Sequence, residues 1–99
     1  MADGRLVLKV KRWLRGIYDT LSVEAWHVRM PPDEWYDIYV KAGLHGAAFA
    51  EMYADSLDRE EVDEIVRALK EMCEVEDESH YSDGGLRVKF RNCLQQRAG

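Results

Sequence analysis

Asp58 followed three positions later by Glu61, with Val62, Ile65, Val66, Leu69 and Met72 beyond, constrains this chain more than any other feature. An N-cap aspartate accepts from the backbone amide three residues on, and a glutamate there reaches back to the cap's own amide. Two of the donors that a helix start leaves orphaned are thereby satisfied locally. The five apolar residues recur every three or four positions, so they form one stripe. The spacing predicts an amphipathic helix beginning at Asp58, which needs an apolar layer to lie on.

Downstream, around Cys73, the pattern changes from helical to alternating, and Asp83-Gly84 supplies the positive-φ residues of a tight hairpin turn. A two-residue loop there places Tyr81 opposite Leu86, Ser79 opposite Val88 and Asp77 opposite Phe90. The other face then pairs His80 with Arg87, Glu78 with Lys89, Glu76 with Arg91 and Glu74 with Cys93. Acidic meets basic along this ladder, each pair contributing roughly 0.2–1 kcal/mol. Asp77 on the apolar face is the one residue the register does not accommodate.

Upstream, Val7, Val10, Leu14, Ile17, Tyr18 and Leu21 recur at helical spacing, while Leu6, Leu8 and Val10 also alternate. Residues 5–11 therefore fit the start of a helix or a short strand. Residues 23–28 are β-branched and aromatic enough for a strand, which Pro31-Pro32 should end. The prolines, followed by Asp33, Glu34 and Asp37, read as the start of a second helix with the stripe Trp35, Ile38, Tyr39, Ala42, Gly46, Phe49 and Tyr53. Small residues Ala42, Gly43, Gly46, Ala47 and Ala50 along it would admit another backbone at short range. The resulting expectation is one domain over residues 1–99. Its class is α+β, three helices packed on a small antiparallel sheet with a C-terminal β-hairpin.

The run from Tyr36 to Glu51 (YDIYVKAGLHGAAFAE), the capped helix and the hairpin ending Leu86-Arg87-Val88-Lys89-Phe90-Arg91-Asn92-Cys93 resemble the first part of a vinyl-reductase-type, or hydrocarbon-binding, domain. The resemblance spans about residues 33–93. It implies a small α/β domain that binds a small apolar ligand or a partner and often pairs with itself, with Gly43 and Gly46 at the family's helix glycines. Cys93 would match a cysteine that in some members helps hold a metal. The family's further strands and cysteines have no counterpart in this sequence, which puts a closed pocket and a metal site in doubt.

The formal charge of −5 hides a segregation: six Lys/Arg against three Asp/Glu in residues 1–30, four against sixteen in 31–83, and four against none in 84–99. An acidic middle repels phosphates, so nucleic acid is not an expected partner. Lys9, Lys11, Arg12 and Arg15 beside Trp13 form a basic stretch that suits nucleic acid or an anionic membrane surface, but with only four charges and an acidic middle it is read as docking onto the acidic helices, within a chain or across a dimer. Gly43-Leu44-His45-Gly46 matches a KH-type GxxG only superficially, having no Lys or Arg between its glycines. His27, His45 and His80 show no metal-ligand spacing, and no nucleophile elbow, phosphate loop or HExxH occurs. The carboxylates at residues 60–64 read as a solvated helix start.

Two cysteines, Cys73 and Cys93, are too few for a disulfide framework. Reduced thiols are expected, since the assumed register sets Cys73 against Leu94 and the two sulfurs on opposite sides of the ribbon. No apolar run approaches the ~20 residues that cross a bilayer, and the expected location is cytoplasmic. The functional expectation is a non-enzymatic binding or regulatory module without catalytic residues, metal or cofactor. Trp35, Tyr39, Ala42, Gly43, His45, Gly46 and Phe49 would take a small apolar ligand, a protein partner or a second copy. An alternative is an acidic protein or inhibitor that occupies a basic site on a larger partner.

Overall fold

The computed structural model describes residues 5–14, 18–44 and 47–93. Along the chain run α1 (Arg5–Leu14), β1 (Thr20–Met30), β2 (Asp33–Leu44), β3 (Ala47–Leu57), α2 (Arg59–Met72), β4 (Glu74–His80) and β5 (Leu86–Arg91). The strands form one antiparallel sheet in the order β3-β2-β1-β5-β4. Both helices contribute to the core on one face of this sheet.

Among the described residues, two helices on five strands replace the expected three helices on a small sheet. The difference lies in residues 33–57, expected as a helix whose stripe runs to Tyr53 and found as the β2–β3 pair. Pro31-Pro32, joined by a cis peptide, forms a two-residue connection, because Met30 pairs with Asp33 across it. From there the chain alternates: Ile38, Val40 and Ala42 are buried, while Asp37, Tyr39 and Lys41 face away. β-Branched and aromatic residues suit a pleated surface better than a helix, and burial on one face at period two outweighs the looser three-to-four spacing of the same residues. Residues 20–30 do form a strand, and the helical reading of residues 5–11 holds through Leu14.

Leu21, Val23 and Ala25 of β1 meet Ile38 and Val40 of β2 and Leu86, Val88 and Phe90 of β5, while α2 lays Val62, Ile65 and Leu69 over them. Each such side chain contributes roughly 1.5–3 kcal/mol on full burial. Asp58 caps α2 as expected: its carboxylate accepts from the Glu61 amide at 2.8 Å and Glu61 accepts from the Asp58 amide at 3.1 Å.

The β4–β5 hairpin forms in a different register. Its loop runs from Tyr81 to Gly85, closed by Tyr81 N–H donating to the Gly85 carbonyl at 2.8 Å, with Gly84 at φ +99°. His80 now faces Leu86 and Glu78 faces Val88, and a bulge between Val75 and Asp77 moves the pairing by another residue. Asp77 consequently pairs with Lys89 and leaves the apolar face, which resolves the misfit. The same slip sets Glu74 opposite Arg91 and brings the cysteines together. They form a Cys73–Cys93 disulfide with Cα atoms 4.3 Å apart, correcting the expectation of free thiols. No helix among the described residues is long and apolar enough to cross a membrane.

Candidate functional site

The seven residues expected to share a helix groove do not share one. Strand alternation sends Trp35 and Tyr39 to the open face of the sheet and Ala42, 1% exposed, into the core. Gly43 is buried near the end of β2, where its carbonyl accepts from the Asp19 amide at 2.9 Å. His45 and Gly46 lie outside the described residues, and Phe49 belongs to β3 with its side chain undescribed. At Gly43, the one of the two glycines within the described residues, the anticipated close approach is ordinary strand pairing with Thr20 and Ala48.

What β1, β2 and β3 assemble instead is an aromatic row on the open face. Trp26, Tyr39 and Tyr53 stand on successive strands, with Tyr39 edge-on to Trp26 at 6.4 Å and to Tyr53 at 6.5 Å. Such edge-to-face pairs are worth about 0.5–1.5 kcal/mol beyond area. Even so, Trp26 remains 43% and Tyr53 56% exposed. Sequence reasoning included Tyr39 but not Trp26 or Tyr53 in the site. The signal was the alternation of Glu24, Trp26 and Val28 opposite Val23 and Ala25.

Carboxylates surround the row. Asp37 lies opposite Trp26, Glu24 opposite Tyr39, and Glu51 one pair along on β3 opposite Lys41. A hydrogen bond to Glu51 foremost holds the Tyr39 phenol above its ordinary range; at Tyr53 desolvation comes first and a hydrogen bond to Asp37 second, with Asp55 adding repulsion. Both phenols thus stay protonated beside these carboxylates. Trp35 Nε1 donates to Asp37 Oδ1 at 3.1 Å, and Lys41 Nζ lies 5.2 Å from the Tyr39 ring centroid. Farther across, on β5, Lys89 and Arg91 face Asp77 and Glu74, and Arg87 faces Glu24. The β1–β3 half of the open face is therefore acidic and aromatic, whereas the β4–β5 half is charge-paired.

Two other polar clusters serve the scaffold. His27, its side chain only 6% exposed, stacks on Tyr36 at 4.6 Å and donates from Nδ1 to the Asp83 carbonyl at 2.7 Å. Arg59, at the start of α2, donates to the Gly84 carbonyl at 2.6 Å and to Asp63 at 3.0 Å. Together they fasten the β4–β5 loop to α2 and β1. Between α2 and β4 lies a shallow cavity of about 300 Å³ with Val66 and Leu86 as its apolar part. At its rim Glu78 forms an ion pair with Lys70 at 3.0 Å and a hydrogen bond with His80 at 2.6 Å. The His80 hydrogen bond first, and Lys70 second, hold the Glu78 carboxyl below its ordinary range.

Fold and site together define a two-layer antiparallel α+β domain in which the sheet face left open by the described residues carries an acidic aromatic platform. Comparison of the chain with protein-family models, curated proteins and solved structures finds no match.

Proposed function

We propose that this protein is a non-enzymatic binding module whose open sheet face docks a basic, Lys- or Arg-bearing segment of a protein partner. One observation carries the reading: three rings, Trp26, Tyr39 and Tyr53, stand solvent-facing on neighbouring strands among Glu24, Asp37, Glu51 and Asp55. Aromatic faces attract cations through their quadrupole, and a guanidinium stacks on them while its edge donates to a carboxylate. Lys41 over Tyr39 is the chain's own instance of that contact. A sheet holds its side chains with little entropy left to lose, which favours a platform over a loop. The small apolar ligand is not retained, because its helix groove is not formed.

The test is calorimetric titration with an oligo-arginine peptide, using an oligo-glutamate peptide as control. Micromolar binding is expected that weakens about tenfold when the salt is raised from roughly 50 to 300 mM. Trp26→Ala and Tyr53→Ala each reduce affinity by about threefold to tenfold, since an exposed cation–π contact contributes about 0.5–1 kcal/mol and some ring area is also lost. Equal binding of the acidic peptide, or full affinity in both variants, would refute the assignment.

A further inference from the structure

Among the surfaces left without a role, α1 offers the clearest complement to the site. Leu8, 58% exposed, stands beside exposed Lys9 and Arg12. Positions 5, 8, 9 and 12 follow the three-and-four spacing of one helix stripe, so Arg5, also exposed, extends it. Val10, on the opposite side of the helix, is 2% exposed and sealed into the core. The stripe therefore points away from the protein body, with apolar Leu8 along one edge and the cationic residues beside it. These are the features that the acidic aromatic platform is built to receive.

We infer that the basic segment recognised by the platform is the α1 stripe of a second copy of this chain, in a head-to-tail association. The inference rests on the reading of the open face given above and names its occupant. Within one copy the contact cannot form, because α1 packs in the helical layer and the platform lies across the sheet from it. Between copies it brings Lys9 and Arg12 onto carboxylates such as Glu51 and Asp55, and Leu8 onto the Trp26–Tyr39–Tyr53 row. The stripe and the platform lie on opposite faces of one copy, so two copies cannot make both contacts with each other at once and the interface is heterologous. Each docking leaves one stripe and one platform free, and association continues rather than closing at a dimer.

Sedimentation velocity with charge-reversed variants tests this. Between about 10 µM and 1 mM at low salt, the weight-average sedimentation coefficient of the native chain rises past that of a dimer, and about 0.5 M salt abolishes the rise. Lys9→Glu/Arg12→Glu and Glu51→Lys/Asp55→Lys, each with native circular dichroism, sediment as monomers alone and reassociate when mixed, because each then meets the opposite charge on the other. A native chain that is monomeric throughout overturns the inference, as does association that persists in both variants. The oligo-arginine titration of Lys9→Glu/Arg12→Glu, whose platform is intact, separates the two levels: retained binding beside a native chain that stays monomeric rejects α1 as occupant and keeps the platform, while lost binding rejects the platform itself. Adding phosphatidylserine vesicles supplies a competing outcome, since α1-dependent co-sedimentation without self-association assigns the stripe to lipid and also overturns the inference.

Discussion

Opening the Cys73–Cys93 bond should cost this fold a large part of its stability. The two residues are 20 apart in sequence, and chain-entropy reasoning gives about 3 kcal/mol for closing a loop of that length in the unfolded ensemble. Both sulfurs are buried, at 4% and 1% residue exposure, so after reduction the thiols keep the same apolar neighbours and the loss is chiefly one of constraint. In a domain of about 100 residues, 1 kcal/mol moves the melting temperature by roughly 4–8 °C, and the reduced protein should melt about 12–24 °C lower. The assay is guanidinium unfolding with and without a phosphine reductant, beside Cys73→Ala/Cys93→Ala. The reduced form should show an earlier midpoint and a steeper slope, because its unfolded chain is less restrained. Intact mass after alkylation of the unreduced protein in denaturant counts free thiols. Two labels on unreduced protein, or unfolding curves that superimpose, would refute the reasoning.

Three further outcomes follow from the geometry. Because the Glu78 carboxyl is held below its ordinary range, it stabilises the folded form above that range, and the contribution disappears as pH falls through the folded value. Glu78→Gln should flatten this acid limb by less than about 1 kcal/mol in pH-dependent melts, the pair being partly solvated. At Gly85 a Cβ would stand 2.9 Å from the Ala25 carbonyl oxygen of the central strand, so Gly85→Ala should lose about 1–3 kcal/mol in denaturant titration; an unchanged midpoint would contradict the packing. In an ultraviolet titration Tyr39 and Tyr53 should ionise above the usual 10.0, and Glu51→Gln should bring Tyr39 back toward it.

Legibility varied with how local the determining physics is. The α2 start was readable because Asp58 and Glu61 satisfy each other within four residues. The hairpin was readable as a hairpin but not in register. Tyr81, Asp83 and Gly85 close a longer loop, and a bulge between Val75 and Asp77 shifts the pairing again, which no local pattern announces. That two-step slip also hid the disulfide. Residues 33–53 failed for a different reason: β2 carries Trp35 and Tyr39 on its solvent face, so both faces look apolar and the period-two signal of Ile38, Val40 and Ala42 is masked. The aromatics that obscured the strand are the ones that form the platform, and their adjacency to Trp26 and Tyr53 arises only from pairing distant segments.

Strand order also bears on how a ribosome must deliver this protein. β1, the middle of five strands, gains β2 almost at once, but its other neighbour is β5, with Leu21 waiting for Phe90 and Val23 for Val88. At roughly 5–20 residues per second, translation leaves that edge unpaired for several seconds. During this interval the nascent meander shows bare amides and carbonyls to the crowded interior, and its native shape can be reached only after residue 91 has cleared the exit tunnel.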